Sequence, residues 1–302
     1  MRPAANPFAG DAMLTAAGKS HYHDGHLFRP RFTQEFTVRS LPTALLLIFF
    51  NACASMALAI DWQDSPEVAK LFATANLQGT FVLYDATADH FTGHRRERAE
   101  TRYIPASTFK IPNSLIGLSV GAVRDVDEVL PYGGQPQRFK EWEQDMGLRT
   151  AIRVSNVPVY QELARRIGLE RMRANVAKLG YGNAEIGDII DRFWLVGPLQ
   201  ISAVEQAQFL ARLAQDQLPM PTDAMARTRE IAQLERGDGW ILFGKTGWAD
   251  TYEPDVGWWV GWVRKGDRVY SFALNVDMPN DGDAGKRIGL GRESLRVLGV
   301  LP

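Results

Sequence analysis

Three consecutive segments near the end of the chain show the two-residue alternation of β-strands, and they constrain the fold more than any other feature. They are residues 240–248, 256–266 and 268–278, separated by short polar or glycine-containing turns. Because the side chains of a strand point alternately to the two faces of a sheet, this pattern predicts three neighbouring antiparallel strands. An earlier apolar segment, residues 79–87, is predicted as a further strand, and residues 291–299 as a closing helix.

The middle of the chain changes to helical periodicity. Residues 107–120 are predicted as a helix that ends before a glycine, and residues 157–217 are predicted to be helical. Within the second range, Ser202 and Glu205 have the spacing of a capping box. Residues 121–150 are rich in loop-forming residues and are expected to line a site. The predicted fold class is α/β (α+β): an antiparallel sheet flanked by helices, with an inserted all-α lobe.

Composition excludes several classes of function. The 302 residues carry 34 Lys and Arg against 35 Asp and Glu, a net charge of −1, so a nucleic-acid partner is not expected. Cys53 is the only cysteine, which excludes an internal disulfide and a cysteine-rich zinc site. Three of the five histidines lie within residues 21–26, while His90 and His94 lie in residues 89–94, predicted as a hairpin turn. No metal site is expected, and a Ser–His–Asp triad lacks a suitable histidine.

Residues 38–59 have the features of a secretory signal peptide. Arg39 supplies the positive charge, residues 44–50 supply the apolar core, and the small residues 57–59 supply an Ala-x-Ala cleavage site. One alternative is an uncleaved membrane anchor, because the apolar span approaches the ~20 residues of a transmembrane helix. A second alternative is lipid modification of Cys53. The signal-peptide interpretation predicts a periplasmic protein.

The domain boundaries follow from that interpretation. Residues 1–37 resemble no signal peptide and are interpreted as an irregular N-terminal extension. The codons for Val38 include an alternative bacterial start, so we hypothesise that translation begins there and that the extension is not translated. Cleavage after Ala59 would leave residues 60–302 as the mature domain.

A serine and a lysine stand three residues apart at the start of the helix predicted for residues 107–120. Residues i and i+3 share one face of a helix, so Lys110 should lie directly beneath Ser107. The free N–H groups and positive partial charge of a helix start would surround the serine. A serine at a helix start with a lysine after it is common, so this pair alone is weak grounds for function.

Three further motifs strengthen the functional interpretation. They are Ser-Asn-Val at 155–157, Tyr-Gly-Asn at 181–183 and Lys-Thr-Gly at 245–247, and a Trp-Leu pair lies within 193–197. Each has an ordinary structural explanation: a helix cap, a turn, a solvated strand lysine or a core residue. Their occurrence together, in this order, is improbable by chance.

With these motifs the chain resembles the class D β-lactamases, the oxacillinase type of serine penicillinase. S-x-x-K and K-T-G are shared by the serine-reactive penicillin enzymes, whereas S-x-V, Y-G-N and the Trp-Leu pair distinguish class D. The likeness covers essentially residues 60–302, and residues 158–176 are similar to the chromosomal oxacillinases of pseudomonads. It implies the serine β-lactamase/D,D-peptidase-like fold. It also implies hydrolysis of β-lactam antibiotics, penicillins and oxacillin-type compounds, through an acyl-enzyme.

The resemblance assigns the central chemistry to Ser107 and Lys110. Ser107 would be the nucleophile. Lys110 would act as general base after its amine, kept neutral by burial, has added carbon dioxide to become an N-carboxylated lysine. Carbon dioxide or bicarbonate is thus the only cofactor implied. The family match assigns the Trp194 indole N–H to that carbamate, and three apolar side chains would keep it dry: Phe109, Val157 and Leu195.

The resemblance also assigns residues around the reacting carbonyl. The backbone N–H groups of Ser107 and Trp248 would form the oxyanion hole. Ser155 and Lys245 would relay a proton to the leaving β-lactam nitrogen.

Three residues are expected to hold the substrate carboxylate. They are Thr246, Gly247 and Arg287, with Arg292 as a rival to Arg287. Tyr181-Gly182-Asn183 is interpreted as an architectural support of the site wall.

Two other functions use similar motifs. A penicillin sensor would be acylated once and would need a membrane anchor and a signalling partner, and a cell-wall D,D-peptidase would deacylate slowly. S-x-V, Y-G-N and the Trp-Leu pair argue against the peptidase. The expected partner is a small-molecule β-lactam, with no stable membrane partner, and the protein is expected to be a monomer or a homodimer. The loops at 132–150 and 249–256 are expected to set the substrate range.

Overall fold

A seven-stranded mixed sheet forms the centre of the computed structural model, which describes residues 60–302. Its strand order is β1-β3-β2-β7-β6-β5-β4, and every neighbouring pair is antiparallel except the parallel pair β1 and β3. The strands are β1 (Trp62–Asp64), β2 (Gly79–Asp85), β3 (His90–His94), β4 (Gln233–Gly237), β5 (Trp240–Ala249), β6 (Asp255–Lys265) and β7 (Arg268–Met278). The three segments predicted from their alternation are β5, β6 and β7.

Nine α-helices accompany the sheet within the described part of the chain. They are α1 (Pro66–Ala75), α2 (Arg96–Glu100), α3 (Lys110–Ser119), α4 (Leu148–Arg153), α5 (Val157–Ile167), α6 (Leu169–Leu179), α7 (Ala203–Ala214), α8 (Thr222–Ala232) and α9 (Lys286–Val297). Helices α3 to α8 lie between β3 and β4 in sequence, as the predicted inserted lobe does. The expected fold class is therefore confirmed, as is the capping box of Ser202 and Glu205 at the start of α7.

The sheet separates two clusters of buried hydrophobic side chains. The larger cluster lies between the sheet and the helical lobe, and the smaller lies between the sheet and the pair α1 and α9. Strand β6 shows how alternation divides them, because Trp258 and Trp262 belong to the larger cluster and Trp259 to the smaller. The turn before α3, the aromatic wall and the end of α4 described below border the larger cluster, whereas Trp248 and α9 border the smaller.

Several predicted boundaries are wrong. Residues 90–94 are strand β3, and the turn before it occupies residues 86–89. Residues 180–202 interrupt the predicted helical range, because Gly180 ends α6 in the left-handed conformation with φ 61°. The closing helix begins at Lys286 instead of 291.

The described residues include no helix long and apolar enough to cross a bilayer. The predicted extension at 1–37, the signal peptide at 38–59 and Cys53 lie outside the described residues.

Candidate active site

The Ser107–Lys110 pair lies where a short 3-10 turn, Ala106–Phe109, leads into α3. The Lys110 side-chain nitrogen Nζ donates a hydrogen bond to Ser107 Oγ at 2.9 Å. Lys110 is fully buried, whereas Ser107 is partly exposed. Burial, followed by the nearby charge of Lys245, holds the pKa of Lys110 well below its ordinary value. A buried amine with a lowered pKa beneath a reachable serine is the arrangement that a serine nucleophile without a histidine needs.

The backbone at the nucleophile is strained. Ala106, the residue before Ser107, has φ 48°, in the left-handed region that side chains rarely occupy. Such strain persists only where the surroundings fix it, and here β5 lies directly against the turn. A Cβ on Gly247 would meet the Pro105 carbonyl oxygen at 2.9 Å and the Thr108 methyl at 3.0 Å. Glycine at 247 is therefore what brings β5 and its Trp248 backbone close to Ser107.

A polar support beneath Lys110 was not predicted from the sequence. The Lys110 amine lies 5.2 Å from the centre of the Tyr160 ring, and Tyr160 Oη and Ser114 Oγ are 2.8 Å apart. Ser114 Oγ also lies 2.8 Å from the Lys110 carbonyl oxygen, to which it donates. All three side chains are buried. The spacing of Ser114, four residues after Lys110 on one helix, was the available signal; Tyr160 on α5 had none.

An aromatic cluster forms the apolar wall beside this pair. Phe109 stacks on Trp194 with ring centres 5.6 Å apart, and contacts Tyr181 and Phe193 edge-on. These four side chains are fully buried. Tyr181, from the Tyr-Gly-Asn motif, therefore packs into the wall and does not line the cavity.

A second Ser–Lys pair faces the first. Lys245 Nζ, on β5, donates to Ser155 Oγ at 3.0 Å, and Ser155 holds the strained φ of 57° in the segment between α4 and α5. Burial, helped by the charge of Arg287, lowers the pKa of Lys245 to about 7. Since Ser107 and Ser155 line one cavity, a proton can be held or released near neutral pH next to the nucleophile.

Arg287 and Arg292 are placed very differently. Arg287 is buried at the cavity, where its guanidinium donates to the Gly247 carbonyl oxygen and to the Ala284 carbonyl oxygen at 2.7 Å. Burial lowers its pKa to about 10, and within residues 60–302 no carboxylate pairs with it. Arg292 instead pairs with Glu235 at 2.8 Å, away from the cavity. Arg287 thus has the free donors that a substrate carboxylate requires.

The cavity in front of these residues has a volume of about 610 Å³. Val157, Leu195 and Thr246 line it together with the two serines, and both predicted loops contribute to its rim. At the rim the Arg138 guanidinium lies 5.2 Å from the centre of the Trp248 ring and 3.6 Å from Asp250. A cleft of this size with a few convergent polar groups is a typical small-molecule site. No group of three or more potential metal ligands was found among the described residues.

Comparison with known proteins identifies the chain. A sequence model of the penicillin-binding protein transpeptidase domain matches residues 76–289. β-Lactamase OXA-5 of Pseudomonas aeruginosa is 39% identical, covering 87% of this chain and 99% of the relative. β-Lactamase OXA-48 of Klebsiella pneumoniae is 36% identical, covering 88% of this chain and 100% of the relative.

A solved structure agrees with these matches. FUS-1 (OXA-85), a class D β-lactamase from Fusobacterium nucleatum subsp. polymorphum, is 43% identical and superposes with a TM-score of 0.77. The match covers 80% of this chain and 100% of that one. The fold and the paired Ser–Lys site thus define a serine protein of the penicillin-binding group. Within that group, the chain belongs to the class D β-lactamases, and the resemblance drawn from its motifs is confirmed.

Proposed function

We propose that this protein hydrolyses β-lactam antibiotics, including penicillins and oxacillin-type compounds, through an acyl-enzyme on Ser107. The observation that carries the proposal is the 2.9 Å contact between Ser107 Oγ and the fully buried Lys110 amine. Membership of the class D β-lactamases supports the reaction class. Turnover of a penicillin by the purified protein, in moles of product exceeding moles of enzyme, tests this function.

Acylation uses four groups of the chain. Ser107 Oγ attacks the β-lactam carbonyl carbon as its proton passes to the general base, which is the Lys110 side chain. The backbone N–H groups of Ser107 and Trp248 receive the developing oxyanion, each donor contributing roughly 3–4 kcal/mol in the transition state. The Ser155–Lys245 pair then delivers a proton to the β-lactam nitrogen as its bond to the carbonyl carbon breaks. The pKa of about 7 for Lys245 suits this transfer at neutral pH.

Lys110 is suited to carry a carbamate. An amine adds carbon dioxide only when neutral, and burial favours the neutral amine here. When formed, the carbamate supplies the base for acylation and, later, for activating the deacylating water. Trp194 would hold it through its indole N–H, and three apolar side chains would limit water around it: Phe109, Val157 and Leu195. Trp194 and Phe109 stack on each other in the fully buried wall described above, and Val157 and Leu195 line the cavity.

The substrate carboxylate is assigned to Thr246, Gly247 and Arg287. Arg287 supplies the positive charge and Thr246 supplies a hydroxyl, and both residues line the cavity. We further propose that the signal peptide at residues 38–59 directs the protein to the periplasm. Its substrates arrive in that compartment.

Replacing Ser155 with alanine is expected to lower kcat/KM for a penicillin by about 100-fold, because Lys245 loses the hydroxyl through which the proton reaches the leaving nitrogen. Stopped-flow measurement of acylation would locate the loss in that step. Ser119→Ala, which removes a hydroxyl from the end of α3, is the matched control. An acylation rate within twofold of the unmodified protein would contradict the relay.

Replacing Arg287 with leucine is expected to raise KM for penicillins by about 10- to 100-fold, because a charge-assisted contact to the substrate carboxylate is lost. The same substitution at Arg292 should change KM less than twofold, since that guanidinium pairs with Glu235. Steady-state kinetics of the two variants side by side tests the assignment. Equal effects of the two substitutions would contradict it.

A further inference from the structure

A second, smaller cavity continues the cleft along β5. It has a volume of about 190 Å³ and shares Thr246 and Lys245 of β5 with the active site. Strand β4 pairs with β5 only as far as the Gln233–Phe243 pair, so Gly244 and the residues after it have no strand from residues 60–302 on that side. The smaller cavity lies at this unpaired edge, between the end of α4 and the start of α9.

The walls of this cavity are apolar and partly exposed. Leu234 and Ile288, which flank it, are 53% and 41% exposed, and Trp259 and Ile152 form its buried side. Exposed aliphatic side chains around a concave surface indicate a place where another molecule is covered from water. These four side chains have no role in the mechanism described above.

The charge of the cavity is positive. Arg153 lines it, is exposed, and within residues 60–302 has no carboxylate within ion-pairing distance. Among the described residues, no Asp or Glu lines the cavity. The neighbouring arginines differ: Arg149, on the same helix, pairs with Asp127 and Glu230, and Arg292 pairs with Glu235. Among residues 60–302, Arg153 is thus a cation without an acidic partner beside an apolar pocket. This combination favours an anionic group carried on a short apolar stem.

The location of the smaller cavity indicates which part of a bound substrate can enter it. Thr246 and Arg287 are assigned to the substrate carboxylate, and the smaller cavity begins at Thr246 and at Ile288, the residue after Arg287. In a cephalosporin, the ring carbon that carries the carboxylate is bonded to C3, the carbon that carries the variable substituent. That substituent therefore begins at the boundary between the two cavities.

We propose that the smaller cavity is a subsite for the C3 substituent of cephalosporins and that Arg153 makes it prefer an anionic substituent. The proposal rests on the proposed function, because it uses the placement of the carboxylate at Thr246 and Arg287. It adds a specificity-determining residue, Arg153, to the site.

The test compares two cephalosporins that differ only at C3, one with a vinyl group and one with a carboxyvinyl group. For the unmodified protein, kcat/KM should be about fivefold higher for the carboxyvinyl compound, and raising the ionic strength should reduce this ratio. Arg153→Met should bring the ratio to about one, Arg153→Glu should invert it, and Arg153→Lys should largely keep it. Arg124→Met removes an equal charge from an exposed position and should leave the ratio unchanged.

Two results would overturn the proposal. One is that the Arg153 substitutions leave kcat/KM unchanged for both compounds. The other is that they lower kcat/KM equally for both, so that the ratio of the two values stays the same. Where turnover is slow, acylation rate constants measured in competition with a reporter penicillin give the same ratio. Penicillin turnover by the unmodified protein tests the proposed function separately. Its absence would refute that function. Its presence, together with a cephalosporin kcat/KM ratio that Arg153 substitutions do not change, would refute only the subsite.

Discussion

Lys110→Met should lower kcat/KM for penicillins by about 10⁴-fold, the upper end of what a general base contributes, because the same group serves acylation and deacylation. Methionine is chosen because it can fill the buried, apolar space of the lysine stem with little loss of packing. Thermal unfolding should therefore show a folded variant with a melting temperature close to that of the unmodified protein. The measurement is steady-state hydrolysis of a penicillin over a wide range of enzyme concentration.

The matched control is Lys178→Met, since Lys178 is exposed on α6 and does not belong to the described cavity lining. It should retain full activity. A folded Lys110→Met protein with more than a tenth of the original kcat/KM would show that another group acts as the base.

Ser107→Ala should abolish the acyl-enzyme and lower kcat by about 10⁴-fold or more, as loss of a nucleophile does in serine hydrolases. Mass spectrometry after mixing with a penicillin should show the mass of one opened β-lactam on the unmodified protein and none on the variant. Binding should persist, because the carboxylate site around Arg287 is unchanged. A covalent adduct on the Ser107→Ala protein would place the nucleophile elsewhere, and Ser119→Ala again serves as the control.

The sequence predicted those features that follow from local periodicity and from short motifs. Strands β5, β6 and β7 were predictable because alternating burial along a strand is visible in the residues themselves. The Ser107–Lys110 contact was predictable because i and i+3 of a helical turn are neighbours. Ser155 and Lys245, which face the first pair, are separated by 90 residues in the sequence. Their contact was predicted only from the class D resemblance, because no local pattern connects them.

Features that depend on packing between distant elements were not predictable. Tyr160 lies beneath Lys110 because α5 packs on α3, which no local pattern specifies. The loop at 180–202 replaces a predicted helix because glycines there adopt positive φ, as at Gly182 with 58°. Arg287 and Arg292 could not be separated by sequence distance. Five residues along a helix rotate a side chain by about 140°, and this rotation takes Arg292 away from the cavity.

The most direct test of the account is turnover of a penicillin by the purified protein at fixed pH, with and without added bicarbonate. We expect many turnovers per enzyme molecule and a rate that rises with bicarbonate, because the Lys110 amine must add carbon dioxide to act as the base. Removing dissolved carbon dioxide should lower the rate, and adding bicarbonate should restore it. A single stoichiometric acylation that bicarbonate does not change would contradict the account and would favour a penicillin sensor or a slow D,D-peptidase.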